Sequence, residues 1–232
     1  MKIAIMQPYF FPYLGYFQLM NAVDEFVIYD NIKYTKKGWI NRNRMLLNGA
    51  DEMFSLPLKK DSDSLDVVQR ELSADFDRST LLNQFKGAYG RAPYFAQTFP
   101  LLERIVGHEE GNLFRYLYHS VIETCRHIGI DTEVRISSSI AIDHELKAQD
   151  KVLALCGALG ADTYINTIGG TGLYDKGEFG VRGIDLQFIK AKPFEYKQFD
   201  SPFVPWLSIV DVMFFNPIEK VKDQIRRGYE LI

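Results

Sequence analysis

Residues 2–7, KIAIMQ, form a short apolar run that stops at Pro8. Proline brings no backbone N–H and cannot continue a central strand, so the run reads as a buried strand with a sharp end. Beyond it the chain passes through YFFPYL and enters GYFQLMNAV (residues 15–23), where apolar side chains recur at helical spacing. DEFVIYD (residues 24–30), rich in Phe, Val, Ile and Tyr, is the next strand. Strand, loop, helix and strand within about 30 residues make a βαβ unit, and a crossover of that kind forces its two strands to be parallel.

The middle of the chain breaks this alternation. NRMLLNGADEMFSLPL (residues 43–58) has two apolar runs around Asn48-Gly49, a strong short-range hairpin signal. Helices are expected over 78–90, 94–107 and 112–128. In the last, Leu113, Leu117, Val121, Cys125 and Ile128 repeat at three and four. Alternation then returns. The expected order is a strand at 132–139, a helix at 145–160 stopped by Gly160, a strand at 162–166, a glycine-rich loop, and a strand at 184–191. A helix is expected within 203–215, and a last one with Asn216 as cap and Pro217 in its first position. The expectation is one α/β domain over residues 1–232. Its sheet is open, mainly parallel and Rossmann-like, and residues 43–130 are a hairpin and helical insertion. In such sheets ligands bind beyond the carboxyl ends of the strands, where strand order reverses.

Charge and cysteine usage narrow the function classes. The net charge of −3 gives no global basic surface for nucleic acid or membrane. Cys125 and Cys156 sit in apolar helical patterns with no thiol or histidine at metal-ligand spacing. They read as reduced core residues of a cytoplasmic protein, with no metal site. Lys2 precedes an apolar stretch, but Gln7, Pro8 and Pro12 interrupt it as a signal peptide. The run at 203–215 holds Asp211 and falls short of the roughly 20 residues a spanning helix needs.

Three segments carry candidate chemistry. The first holds Gln7, Pro8, Tyr9, Pro12, Gly15 and Tyr16: a stiff loop, then a glycine that lets a ligand approach a helix N-terminus. Phe10, Phe11 and Phe17 read as core. The second, DNIKYTKKGWINRNR (residues 30–44), carries Lys33, Lys36, Lys37, Arg42 and Arg44 with Tyr34, Trp39 and Asn41. It suits an anionic, nucleotide-linked ligand or, as the plain alternative, a solvated loop. The third, INTIGGTGLYDKGEF (residues 165–179), places Asn166, Gly169, Gly170 and Tyr174 after a strand, as an anion nest or a simple turn. It lacks the Gly-Lys-Ser/Thr of a phosphate-binding P-loop. His108, His119, His127 and His144 lie outside these loops, so a histidine-based triad is not expected. Acid–base work falls to Asp30, Asp175, a lysine or a tyrosine. Asp211, in an apolar helix, is expected to be held by structural hydrogen bonds.

The ordered motifs IAIMQPYFFPYLGYFQ, DEFVIYDNIKYTKKGWINRNRM, APYF (residues 92–95), SSSI (residues 137–140), GADTYINTIGG with LYD, and LSIVDVMF (residues 207–214) span nearly the whole chain. Together they resemble the WbqC-like family. That resemblance implies a role in bacterial surface-polysaccharide (O-antigen) biosynthesis. The implied activity is a transferase that adds a small acyl group such as glycine to a nucleotide-linked amino sugar. A nucleotide or nucleotide-linked sugar is then the ligand. The first loop is also distantly similar to nucleotidylyltransferases, keeping Gly15 but placing Tyr13 and Tyr16 where that family has histidines. An ATP-dependent acid-activating enzyme and a non-catalytic binding module are the alternatives.

Overall fold

The computed structural model describes residues 1–232. Its strands are β1 (Lys2–Met6), β2 (Glu25–Ile28), β3 (Arg42–Leu47), β4 (Ala50–Ser55), β5 (Glu133–Ile136), β6 (Thr163–Thr167), β7 (Asp185–Ala191) and β8 (Tyr229–Leu231). Its helices are α1 (Leu14–Asn21), α2 (Arg78–Tyr89), α3 (Phe95–Val106), α4 (Leu113–Ile128), α5 (Ala148–Leu159), α6 (Lys176–Val181), α7 (Ile209–Phe215) and α8 (Ile218–Arg227). The main sheet runs β5-β2-β1-β6-β7-β8. All neighbours in it are parallel except β7 and β8, so the fold is α/β with an open, mainly parallel sheet. No helix is long and apolar enough to cross a membrane.

The sheet is covered on both faces, which is why its central strands read as unbroken apolar runs. Side chains alternate between faces along a strand. Ile3, Ile5 and Val27 join a smaller cluster with Val152, Leu155 and Cys156 of α5 and Phe179 of α6. Ala4, Phe26 and Ile28 join the larger one, built from α1, the hairpin, the inserted helices and α7–α8. Phe10, Phe11 and Phe17 are wholly buried there. The β3–β4 hairpin is a separate two-stranded sheet. Asn48 (φ +51°) and Gly49 (φ +79°) turn it with both central residues left-handed, as a two-residue hairpin requires. Both cysteines are buried, and burial pushes each thiol up to about 12.

Asp211 of α7 is fully buried and accepts hydrogen bonds from Tyr89 Oη (2.9 Å), Tyr196 Oη (2.6 Å) and Gln198 Nε2 (2.7 Å). Burial outweighs these donors and holds its carboxyl up at about 6. The carboxylate ties the connection after β7 to α2 and α7.

Several elements differ from the sequence reading. Asn216 does not cap α8: its Nδ2 donates to Val212 O (3.0 Å) and closes α7. α7 runs to Phe215, so Pro217 becomes the residue before the helix and Ile218 its first. β2 ends at Ile28 and β5 at Ile136, with Ser137–Ser139 a 3-10 turn. α5 begins at Ala148, three residues later than its periodicity suggests. β8, too short to show a pattern, adds the antiparallel edge.

Candidate functional site

Connections leave β1 to one side, toward β2, and arrive at β6 on the other, so strand order reverses between β1 and β6. A cleft opens beyond their carboxyl ends, the place such sheets reserve for ligands. It has two chambers. Met6, Tyr9 and Thr167 line both and form the junction.

The larger chamber, about 850 Å³, is the more polar of the two. Lys33, Lys147 and Lys151 line it against the carboxylates of Asp66 and Glu145, leaving one positive charge in excess. Gln7, Asn166, Gly169, Gly170 and Tyr174 complete the β1 and β6 side. Lys151 is nearly buried, with Nζ 3.3 Å from the Asn31 carbonyl and over the Tyr29 ring. Asn166 donates from Nδ2 to Tyr164 Oη (2.9 Å) and accepts from the Thr167 N–H (2.6 Å). A Cβ on Gly170 would stand 3.2 Å from the Asn166 side chain, so glycine is what allows the turn to close on it.

A hydrogen-bonded chain backs this chamber. Asp30 is buried and accepts from Ser137 Oγ (2.8 Å), Ser138 N (2.9 Å) and Ser138 Oγ (2.6 Å). Ser137 Oγ also lies 2.7 Å from Asn31 Oδ1, and Asn31 Nδ2 lies 2.9 Å from His144 Nδ1. His144 Nε2 is 3.0 Å from the Ile140 carbonyl, which only accepts. Nε2 therefore donates to that carbonyl, and Nδ1 faces the Asn31 amide. His144 lines the chamber with both ring nitrogens occupied.

The smaller chamber, about 480 Å³, is aromatic: Tyr9, Tyr13, Tyr16, Trp39 and Trp206 line it with Pro12, Gly15, Arg44 and Lys190. Tyr13 packs on Trp206 at 5.3 Å between centroids, and the Arg44 guanidinium lies over Trp39 at 5.6 Å. Arg44 also donates to Asp51 (3.2 Å) and to the Trp206 carbonyl (3.2 Å). Trp206 has φ +62°, a left-handed conformation that costs a non-glycine residue roughly 1–2 kcal/mol. Burial raises the phenol pKa of Tyr9 and Tyr13, and of Tyr16 well above its usual value, so these side chains act here as neutral rings.

The loop after β1 is fixed by its neighbours. Asn43 Nδ2 of the hairpin donates to the carbonyls of Phe10 (3.3 Å) and Phe11 (2.8 Å). Ser208 Oγ donates to the Phe11 carbonyl (2.8 Å), and the Ile209 N–H to Pro12 (2.9 Å). Tyr16 Oη holds the Gln7 carbonyl at 3.1 Å. The inserted hairpin thus shapes the loop after β1 of the main sheet.

Gln7, Tyr9, Pro12, Gly15, Tyr16, Arg44, Asn166, Gly169, Gly170 and Tyr174 converge on the cleft. The remaining sequence candidates stand elsewhere. Pro8 is buried. Asn41 accepts from Tyr34 Oη (2.8 Å) and donates to the Leu56 carbonyl (2.8 Å). Arg42 Nε donates to Gly38 O (3.0 Å), and Lys37 is exposed to solvent. Asp30 lies behind the wall, and Asp175 is the exposed N-cap of α6, accepting from the Gly177 and Glu178 N–H groups. Sequence reading passed over Asn31, His144, Lys147, Lys151 and Trp206. The β5–α5 loop was the available signal for two of them, His144 and Lys147, because β5 is also parallel and its carboxyl end faces the same cleft. No cluster of three or more His, Cys, Asp or Glu side chains suited to a metal ion occurs in the chain.

A model of the WbqC-like protein family matches residues 7–223. A curated relative from Mycobacterium tuberculosis (strain ATCC 25618 / H37Rv), which carries the name Uncharacterized protein Rv1507c, is 28% identical over 218 residues. That similarity covers 92% of this chain and 93% of the relative. No solved structure matches.

Proposed function

The chain belongs to the WbqC-like protein family, and we propose that it is a transferase of bacterial surface-polysaccharide biosynthesis that acts on a nucleotide-linked amino sugar. The observation that carries this reading is the lysine chamber at the β1/β6 reversal, where Lys33, Lys147 and Lys151 meet the glycine loop. Lysine ammonium groups bind phosphate as point charges, and a sugar diphosphate supplies the negative charge they need. The chamber's volume, about 850 Å³, suits a ligand of nucleotide size.

In the transfer itself the amine of the sugar bonds to the carbon of a small acyl group such as glycine. The donor's leaving group departs, and the amine gives up a proton. That proton passes to water or to one of the two carboxylates at the lysine end of the cleft, Glu145 and Asp66. The roles of Asp30 and Asp175 are positional: the first sets the wall through Ser137, Asn31 and His144, the second starts α6.

Calorimetry with UDP- and dTDP-linked amino sugars tests the reading. Binding is expected, and Lys147→Gln, at an exposed position, weakens it about 10-fold, or about 1.4 kcal/mol. A protein that binds none of these compounds and shows no thermal shift with them is not this transferase. Pyrophosphate released from ATP in the presence of an amino acid points instead to an acid-activating enzyme.

A further inference from the structure

The chain has two tryptophans, and both line the smaller chamber. Both are exposed, Trp39 by 41% and Trp206 by 60%. Two large apolar faces turned to one cavity at the junction of a cleft need a ligand to cover them.

The same chamber has a matched pair of unused polar atoms. Gln18 lines it and is 1% exposed. Its Nε2 donates to the Gln224 and Gly228 carbonyls (both 2.9 Å), while its Oε1, a buried acceptor, has no partner. Arg44 lines the chamber too, and its Nε, a buried donor, has none either. Buried polar groups of this kind are ordinarily paired, so each exception points to something that pairs it. One acceptor and one donor beside two indole faces describe a ligand with hydroxyl groups on its edge and C–H groups on its face. A hydroxyl both donates and accepts. The rings of Tyr13 and Trp206 are inclined at 56°, so this pair is not a parallel slot that would sandwich a nucleobase.

We propose that the tryptophan chamber is a pyranose subsite, with the sugar ring on the indole faces of Trp39 and Trp206 and its hydroxyls on Gln18 Oε1 and Arg44 Nε. This rests on the nucleotide-sugar reading above, and it orients that substrate. The phosphates lie in the lysine chamber, the sugar in the tryptophan chamber, and the linkage crosses at Met6, Tyr9 and Thr167. Gly15 belongs to the same arrangement, because a Cβ there would stand 3.0 Å from the Tyr13 ring and displace the neighbour of Trp206.

Because both tryptophans are in this chamber, intrinsic fluorescence reads it directly. The probes are methyl glycosides of amino pyranoses, UDP, dTDP and a UDP-amino sugar, with calorimetry alongside. A saturable emission change is expected with the glycosides and with the nucleotide sugar, and none with UDP or dTDP. Trp206→Gly removes the indole and suits the left-handed backbone, so it keeps the fold. It should abolish the glycoside response and lower nucleotide-sugar affinity about 10-fold, toward that of UDP. Trp39→Phe, which keeps a ring, should lose less. Nucleotide binding by calorimetry without any glycoside response overturns the subsite and leaves the transferase reading standing. A glycoside response without nucleotide binding does the reverse. An equal emission change with UDP or dTDP alone, lost in Trp206→Gly, makes the chamber a base site and overturns the proposal.

Discussion

The two loops that flank the cleft are held in opposite ways. The proline loop after β1 is bound from three directions, by the hairpin through Asn43, by the start of α7 through Ser208 and Ile209, and by Tyr16. Its Phe10 and Phe11 are anchored in the larger core cluster, against Phe54, Phe85 and Tyr116. The glycine loop after β6 holds mainly to itself and its near neighbours. Thr171 Oγ1 and the Leu173 N–H reach only carbonyls three residues back, and the Asp175 N–H meets Gln149 Oε1. It leaves Ile168 at 41% and Leu173 at 68% exposure. One side of the cleft is a fixed wall built by distant parts of the chain. The other has few buried contacts, the condition under which a segment opens at low cost.

Three changes put that contrast at risk. The largest effect is expected from Asn43→Ala, which leaves the buried Phe10 carbonyl unpaired and removes one of two donors from Phe11. A loss of about 2–3 kcal/mol in urea denaturation is expected; a loss under about 0.5 kcal/mol means the loop stands without the hairpin. Next is acid. Burial raises Asp211 to about 6, so below that pH the folded protein holds a proton the unfolded chain still lacks. This group's contribution to stability therefore increases as pH falls from about 6 toward 4, and is lost as pH rises through 6. Subtracting the Asp211→Asn curve from that of the wild type should expose a rise on the order of 2 kcal/mol across that window. A flat difference curve denies the carboxylate its part in the fixed wall. The smallest effects belong to the glycine loop. Gly170→Ala meets Asn166 at 3.2 Å and is expected to cost about 1 kcal/mol. Gly169→Ala meets only Thr167 Oγ1 at 4.0 Å and should stay within about 0.5 kcal/mol. If both melt like the proline-loop variant, the two walls are not different.

The parallel sheet was legible because its central strands are apolar on both faces, and the hairpin because Asn48-Gly49 admits little else. The lining of the cleft was legible where it depended on strand ends, as at Gln7, Tyr9, Asn166 and Gly170. It was hidden where a helix boundary decided it. The apolar period of α5 extends back to residue 145, yet the helix begins at Ala148, and the freed residues include Glu145 and Lys147 of the lysine chamber. Asp30 shows the converse limit. Its place at a strand end suggested contact with a ligand, but the hydroxyls of Ser137 and Ser138, far along the chain, take up its oxygens. Trp39 and Trp206 come to one chamber only through tertiary packing, which no local pattern reports.

The pairing of β1 with β6 has a consequence for how the molecule comes to exist. Lys2 lies beside Thr163, while β1 and β2 pair across the short turn of α1. During synthesis the first βαβ unit and the inserted hairpin are available early, but the middle of the sheet waits until most of the polypeptide has been made. Such non-local pairing is slow. The cleft lies between the two neighbouring strands farthest apart in sequence, so a chain truncated before β6 has the inserted hairpin and helices but lacks one wall of the cleft.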